Sequence, residues 1–256
     1  MADFACPRCG DTGWRQIERD GVTGVERCDC TRARHAERLE ANAGIPANYR
    51  IASFDNFKLP DDNPTTHRAL AGVLLTVKGF VRNFPSSPQP GLMLIGEPGT
   101  GKTHLAVAAL RMLLQRGFEG IFFDYQNLLE KIRSGYDPNS QSSDREAYRT
   151  ALDTPLLLLD DLGAHRVTDW VEDTVTAIIT YRCNHEKPVI VTTNLPDPEV
   201  SESVLERDTG LSQRVYARTT LAERIGARAR SRLFEMCKVV RMPAVEDYRI
   251  RRLGRP

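Results

Sequence analysis

One eight-residue segment constrains the fold of this chain more than any other part of the sequence. Residues 96–103 read GEPGTGKT and match the pattern G-x-x-x-x-G-K-[ST] at every fixed position. An apolar run at 92–95 precedes the segment as a short buried strand would, and an Ala- and Leu-rich run at 103–114 follows it as a helix would. This order of strand, loop and helix predicts a site for the phosphates of a nucleotide.

The residue types in this segment match the chemistry of a nucleoside triphosphate. The glycines let the backbone turn tightly, so that N–H groups point inward at a phosphate, and the helix N-terminus adds a partial positive charge. Lys102 is expected to reach the β- and γ-phosphates, and the hydroxyl of Thr103 to ligate Mg²⁺. The residues expected to hold the nucleotide here are Gly96, Glu97, Pro98, Gly99, Thr100, Gly101, Lys102, Thr103 and His104.

Size and composition set the broad class. A chain of 256 residues, 41% of them hydrophobic, can form one large domain or a domain with a small module. No run of about 18 apolar residues is present, so we expect no membrane-spanning segment. The first residues lack the basic start and apolar core of a signal peptide, which favours a cytoplasmic protein. In the cytoplasm the cysteines should be free thiols or metal ligands rather than disulfides.

The net charge of +1 conceals an uneven distribution along the chain. Residues 212–256 contain 12 lysines and arginines against 4 acidic residues, whereas residues 51–211 contain 15 against 22. A solvated basic surface and contact with a polyanion, either nucleotide or nucleic acid, explain the C-terminal excess equally well.

Four cysteines near the N-terminus have the spacing of a metal site. Cys6 and Cys9 form a C-x-x-C pair, and Cys28 and Cys30 follow as a C-x-C pair after 18 residues. With glycine turns between the pairs, this spacing predicts a short hairpin whose four thiolates bind a structural Zn²⁺. Because C-x-C is the tighter spacing, His35 is an alternative fourth ligand in place of one cysteine of that pair. So short a segment should need the metal to fold.

We expect three parts along the chain. Residues 1–44 would form the zinc-binding module with a charged helix, residues 45–90 a linker and a leading helix, and residues 91–256 the ATPase domain.

In the third part, apolar strands alternate with helices, and residues 135–144 have the composition of a polar, mobile loop. Strands are expected at 92–95, 120–124, 156–161 and 188–193. The alternation predicts an α/β fold, a parallel sheet sandwiched by helices, with a ligand at the carboxyl ends of the strands.

Polar residues stand where two of these strands end. Asp160 and Asp161 follow four consecutive leucines, and Asn194 follows the run VIVTT. Asp160 is expected to bind Mg²⁺ through a water molecule in the Walker B role, and Asp161 to orient or deprotonate the attacking water. A glutamate is more usual at the second position, so the shorter aspartate suggests slow hydrolysis. Asn194 would hold the water against the γ-phosphate, unless it forms an Asx-turn ahead of Pro196.

Arginines recur at helical spacing further along the chain. Arg224, Arg228 and Arg232 lie at i, i+4 and i+8, and they form one basic stripe if residues 222–233 are helical. Such a stripe is typical of a solvated helix face or an anion contact. An arginine donated to a neighbouring subunit's γ-phosphate is the alternative interpretation.

Taken together, these segments resemble the AAA+ ATPases of the bacterial helicase-loader group, the DnaC/DnaI type, and they are similar to the IstB transposition helpers. The resemblance covers roughly 45–250. It rests on GEPGTGKTHLA at 96–106, LLLLDDLG at 156–163, VTTN at 191–194, ERIGARARSRLFEMC at 223–237 and DYR at 247–249. The first three segments recur in many ATPases, and their combination with S-R-L and D-Y-R is specific to this group.

The resemblance implies that Asn194 is sensor 1, that Arg232 is an arginine finger, and that Arg249 contacts the γ-phosphate in its own subunit. It further implies self-assembly through a shared ATP site and the loading of a hexameric replicative helicase onto single-stranded DNA. The N-terminal zinc module is similar to the DnaI arrangement, but its cysteine-only ligand pattern and shorter front differ from that type.

Two other functions are consistent with the sequence. One is an IstB-like helper that contacts a transposase and duplex target DNA. The other is a zinc nucleic-acid-binding module that uses ATP as a switch with negligible turnover. Candidate single-strand contacts are Lys131, Arg133 and the basic tail at 249–252, and solvated charge explains them as well.

Overall fold

The N-terminal part is an antiparallel hairpin followed by a helix. The computed structural model describes residues 6–19, 21–135, 142–198 and 219–248. Strands β1 (Trp14–Arg19) and β2 (Val22–Arg27) pair with Trp14 opposite Arg27, and helix α1 (Asp29–Asn42) follows directly. The hairpin lies between the two cysteine pairs, as the sequence predicted. Gly44, just past α1, has a φ of 69°, the left-handed conformation that glycine adopts without strain.

Helix α2 (Pro64–Asn83) leads into the larger part of the molecule. Its start is specified locally, because the side chain of Asn63 accepts a hydrogen bond from the Thr66 N–H at 3.0 Å and Pro64 occupies the first helical position. Between α1 and α2 the chain makes a 3₁₀ turn (Ala47–Tyr49) and otherwise lacks regular structure.

The larger part is built on a five-stranded sheet in which every strand pairing is parallel. Its strands are β3 (Gly91–Ile95), β4 (Gly120–Asp124), β5 (Leu156–Asp160), β6 (Val189–Thr193) and β7 (Cys237–Arg241), and their spatial order is β4-β5-β6-β3-β7. The intervening helices are α3 (Lys102–Gln115), α4 (Tyr125–Ser134), α5 (Ser142–Asp153), α6 (Asp169–Asn184), α7 (Leu221–Ile225) and α8 (Ala227–Met236). The expected α/β fold is confirmed.

Side-chain alternation along the strands creates one apolar core on each face of the sheet. Leu92 and Leu94 pack with residues of α2 and α3, whereas Met93 and Ile95 pack with residues of α4, α6 and α8. Truncating one fully buried leucine of this kind to alanine costs about 2–5 kcal/mol. The two cores therefore hold the carboxyl ends of the strands in fixed positions.

The segment between α1 and the sheet contributes to the first of these cores. Ile45, Ala52 and Phe54 are buried in the same cluster as β3 and α3. Arg111 of α3 donates to Glu40 and to the Ala52 carbonyl, both at 2.6 Å, which ties α1 and this segment to the sheet. The division into parts at 44/45 and 90/91 stays a prediction.

Two elements of the structure escaped the sequence prediction. Helix α5 begins at Ser142, so the expected loop at 135–144 is shorter at its C-terminal side, while residues 136–141 lie outside the described ranges. Strand β7 alternates buried Cys237 with exposed Lys238, the pattern of an edge strand rather than the continuous apolar run of a central strand. In the parts of the chain that are described, no helix is long and apolar enough to cross a membrane.

Candidate nucleotide and metal sites

The glycine-rich loop connects β3 to α3 at the carboxyl edge of the sheet. Gly99 and Gly101 have φ values of 74° and 92°, where residues with a side chain are strained. A Cβ at Gly99 would lie 2.1 Å from Cγ of Asp247, and a Cβ at Gly101 would lie 2.6 Å from Cε2 of Phe57. The glycines are therefore required both by the turn of the backbone and by the close approach of two distant segments.

Lys102 lies within the curve of this loop. It is 6% exposed, and its Nζ donates to the carbonyl oxygens of Gly96 and Glu97, each at 2.8 Å. These hydrogen bonds hold the ammonium at the mouth of the loop, where backbone N–H groups and the N-terminus of α3 also favour an anion. The arrangement fits the phosphates of a nucleotide.

Asp160 and Thr103 come together as a metal site requires. Asp160 ends β5, is 7% exposed, and accepts a hydrogen bond from Thr192 Oγ1 at 2.6 Å. The hydroxyl of Thr103, one residue into α3, is near enough to this carboxylate to lower its pKa. A carboxylate and a hydroxyl next to a phosphate loop fit the oxygen ligands that Mg²⁺ prefers. Bound there, the ion would neutralise phosphate charge.

The charge of Asp160 supports the same assignment. Burial raises the pKa of Asp160 to about 6, because hydrogen bonds from Thr192 and Thr103 only partly offset the lost hydration and the charges of Asp161 and Asp124. A buried carboxylate with insufficient compensation is stabilised by a cation at the same place.

Asp161 leaves the strand in a different direction from Asp160. Its φ of 55° is rare for a residue with a side chain, and its N–H donates to Thr192 Oγ1 at 2.9 Å. Asp161, unlike Asp160, lines the open cleft in front of the loop. The turn at this position gives the two neighbouring carboxylates different surroundings, and strain of this kind recurs at functional sites.

The cleft has a volume of about 630 Å³ and lies in front of the phosphate loop. Lys102, Thr103, His104, Asp161 and Asn194 all line it. Asn194 is exposed at the end of β6. An Asx-turn would require a hydrogen bond from the backbone to its side chain, and within the described residues its side chain makes no hydrogen bond. The structure thus brings the predicted phosphate, metal and polar residues to one edge of the sheet.

Several residues of the cleft could not be recognised from the sequence. Tyr248 lines it and donates its N–H to the Gly99 carbonyl at 3.2 Å. Phe57 packs against the ring of His104, whose Nε2 lies 2.9 Å from the Ser53 carbonyl oxygen. The segments around 48–58 and 245–248 close the sides of the loop. The first segment has no local pattern that indicates this role, whereas the second overlaps the D-Y-R at 247–249.

The arginine stripe predicted from the sequence is not formed as one helix face. Gly226, with a φ of 83°, separates α7 from α8 and places Arg224 on a different helix from Arg228 and Arg232. Arg224 is half-buried and donates to the His165 carbonyl at 3.3 Å. Arg232 is 41% exposed and pairs with Glu235 at 2.6 Å. Arg249, the other arginine expected to contact a γ-phosphate, lies outside the described residues.

The four N-terminal cysteines form a compact cluster. The sulfur atoms of Cys6, Cys9, Cys28 and Cys30 all lie within 4.8 Å of one another, with Cys9 and Cys30 at 3.4 Å and Cys6 and Cys28 at 3.8 Å. A tetrahedral Zn²⁺ with Zn–S bonds of about 2.3 Å needs sulfurs roughly 3.8 Å apart. The cluster therefore fits zinc, and His35 is not part of this group among the described residues.

Comparison of the sequence with known proteins also indicates an ATP-binding protein. Residues 26–248 match the family model IstB_IS21, described as IstB-like ATP binding protein. The uncharacterized protein YqaM of Bacillus subtilis (strain 168) is 25% identical over 200 residues, which are 76% of this chain and 61% of YqaM. The replicative helicase loader DnaC of Escherichia coli (strain K12) is 24% identical over 176 residues, 69% of each chain.

Solved structures agree with the sequence relatives. The crystal structure of a DnaC helicase loader matches with a TM-score of 0.60 and 32% identity, covering 77% of this chain and 100% of that one. The crystal structure of DnaI shares the fold with a TM-score of 0.57 and 21% identity, covering 81% of this chain and 98% of that one. These matches confirm an AAA+ ATPase fold. The chain belongs to the IstB-like ATP-binding protein family.

Proposed function

We propose that this chain is an ATP-dependent loader that delivers a hexameric replicative helicase to single-stranded DNA in the cytoplasm. The observation that carries the proposal is the joint presence of a formed ATP cleft and 32% identity across the whole of a solved DnaC loader chain. Loading a ring onto DNA without free ends requires the ring to be held open, and a nucleotide-controlled assembly of loader subunits can do this.

The residues of the cleft divide the work of binding and hydrolysing ATP. The phosphate loop and Lys102 hold the triphosphate, Thr103 and Asp160 hold Mg²⁺, and Asp161 and Asn194 position the attacking water. His104 and Arg249 complete the nucleotide contacts. Because Asp161 is a short carboxylate, we expect hydrolysis to be slow and to be stimulated by assembly or DNA.

The arginine contributed by a neighbour completes the site. Arg232 is half-buried on α8, where it pairs with Glu235, and it is absent from the residues that line the cleft within the described ranges. An arginine that cannot serve its own cleft is available to the cleft of a second copy, where it would stabilise charge developing on the γ-phosphate. ATP between two subunits would thereby favour an open ring or spiral.

Co-purification with the replicative helicase tests the proposal. The tagged chain should retain a stoichiometric amount of the helicase when ATP is present. The Lys102→Ala variant, which should not bind ATP, should retain less. Failure to retain the helicase under any nucleotide condition contradicts helicase loading.

A second candidate is a transposition helper, which the match of residues 26–248 to the IstB-like ATP binding protein family supports as well as it supports loading. Such a protein would bind duplex target DNA together with a transposase. Retention by a transposase and not by the helicase would select this function over loading.

A further inference from the structure

One face of the N-terminal hairpin presents an aromatic ring to solvent. Six side chains share this face by strand alternation: Trp14, Gln16 and Glu18 of β1, and Thr23, Val25 and Arg27 of β2. All six are exposed, Trp14 to 50% and Val25 to 64%, whereas Arg15, Ile17, Gly24 and Glu26 on the opposite face are half-buried. An exposed tryptophan is unusual, because burial of its large apolar surface is normally favourable.

Trp14 is held in place by its neighbour across the hairpin. Arg27 is its pairing partner, and the guanidinium carbon lies 5.7 Å from the centroid of the indole. Directly beyond this pair, the Cys28 N–H donates to the Gly13 carbonyl at 2.8 Å, and Cys28 belongs to the four-cysteine cluster. The aromatic and cationic groups therefore sit at the end of the hairpin that zinc would fix.

The positive charge beside the ring is not balanced by a carboxylate. Three other arginines of this module form ion pairs: Arg8 with Asp29, Arg15 with Glu26, and Arg34 with Asp11. Within the described residues Arg27 has no ion-pair partner. The one acidic residue on its face, Glu18 of β1, lies opposite Thr23, which is four positions from Arg27 along β2 and therefore roughly 13 Å away.

We propose that this face binds single-stranded nucleic acid. One unpaired base stacks on the indole of Trp14, and a flanking phosphate meets the guanidinium of Arg27. Aromatic rings combined with nearby cations bind single strands without sequence preference, because every base has a flat face to stack. Bases in a duplex are already stacked on each other, so the face should discriminate against double-stranded DNA.

The composition of the face argues against a protein as its occupant. Stable protein interfaces bury about 800 Å² on each partner around an apolar centre. Four of the six side chains on this face are polar, and the other two are Trp14 and the aliphatic Val25. The proposal requires neither a helicase nor ATP, so its failure and the failure of helicase loading are distinguishable.

Fluorescence of Trp14 in the full-length, zinc-loaded chain provides the test. The chain has two tryptophans, so Trp170→Phe leaves Trp14 as the sole indole emitter. We expect an oligothymidine longer than the roughly 4–16 nucleotides that one module covers to quench this emission. Anisotropy of a fluorescein-labelled oligothymidine should show that Trp14→Ala weakens binding roughly 5- to 150-fold. Trp14→Phe should retain part of the affinity, and Arg27→Ala should weaken binding and reduce its salt dependence.

The matched control is Val22→Ala, because Val22 is 70% exposed on the same hairpin but belongs to the opposite face. Its affinity and quenching should equal those of the parent, and zinc stoichiometry should be unchanged in all variants. Emission from Trp14 that does not respond to saturating oligothymidine overturns the proposal. So does an equal response to a duplex of the same length, or a response only to purified helicase, which would make the face a protein-binding surface.

Discussion

Asp160 is the residue where burial and charge oppose each other most directly. Because its pKa is raised to about 6, the folded chain retains a proton at pH values where the unfolded chain, with an ordinary pKa of about 3.9, has lost it. The metal-free protein should therefore lose stability as the pH rises from about 4 to about 6. Above that range a bound divalent cation should restore stability.

This linkage predicts that MgATP binding weakens as the pH falls from 7 to 5, since protons and Mg²⁺ compete for the Asp160 carboxylate. In Asp160→Asn, the dissociation constant should be higher at pH 7 and should vary less with pH. The same variant, free of metal, should be more stable than the parent above pH 6 by on the order of 1–3 kcal/mol. Isothermal titration and urea unfolding measure these quantities, and equal pH dependence of both proteins would contradict a role for Asp160 in metal binding.

Lys102→Ala should abolish ATP binding, because it removes the cation from the curve of the phosphate loop. Lys238→Ala is a suitable control, since Lys238 is exposed on β7. A fluorescent ATP analogue should bind the control as it binds the parent. Unchanged binding in Lys102→Ala would remove this loop from the ATP site.

At the scale of elements, one buried ion pair joins the loop after β6 to α8. Arg230 Nε and Nη2 donate to the two carboxylate oxygens of Asp197 at 2.6 and 2.7 Å, and Asp197 is fully buried. The Arg230 guanidinium also lies 4.3 Å from the ring centroid of Phe234. Since Asn194 precedes Asp197 in that loop, the pair fixes two elements that each carry a proposed catalytic residue.

Removing one partner of this pair should destabilise the fold. We expect Asp197→Ala to lower the free energy of unfolding by about 3 kcal/mol, because a mostly buried guanidinium is left without its carboxylate. Replacing both residues, as in Asp197→Ala with Arg230→Met, should recover part of that loss. Urea denaturation of the two single variants and the double variant measures the coupling, and strictly additive losses would show that the pair contributes no coupling energy.

The N-terminal hairpin should depend on zinc for its structure. One zinc per chain is expected, and chelation should remove the circular dichroism of the hairpin while leaving the sheet folded. Cys28→Ser should bind less zinc, whereas Cys183→Ser, outside the cluster, should bind the same amount as the parent. Absence of stoichiometric zinc from the purified protein would contradict the assignment.

The elements that can be predicted from the sequence are those that are buried along their whole length or those that carry a continuous local sequence motif. The four leucines of β5 and the GEPGTGKT loop are recognisable because a central strand and a phosphate loop each need a continuous local pattern. Helix α5 begins among serines that also suit a loop, and Gly226 breaks a run whose arginine spacing alone suggests one helix. In these places tertiary contacts decide the outcome, and periodicity does not report them.

The same distinction applies to the site. Lys102, Thr103 and Asp160 are predictable because each belongs to a contiguous motif beside a strand end. Phe57 and Tyr248 come from segments far away in the sequence, and they reach the loop only because Gly99 and Gly101 leave space for them or their neighbours. Contacts of this kind become visible only when the chain is folded.

In the assembled protein, helicase loading as proposed requires that one ATP site be shared by two chains. Arg232→Ala should leave ATP binding to the isolated chain intact, since Arg232 does not line its own cleft among the described residues. It should lower hydrolysis by about 10³-fold or more if Arg232 acts as a finger, and it should reduce ATP-dependent self-association. Arg228→Ala, exposed on the same helix, is the matched control. Normal turnover and assembly in Arg232→Ala would exclude a shared site that depends on this residue.

Transfer of the helicase onto DNA without ends tests directly whether this chain is a loader. The purified helicase hexamer, closed circular single-stranded DNA and ATP should be mixed with and without this chain, and DNA-bound helicase should be measured after gel filtration. We expect substantial transfer only when the chain is present, and loss of that transfer with Lys102→Ala. Equal amounts of helicase on the circle with and without the chain would contradict the claim that it is a loader.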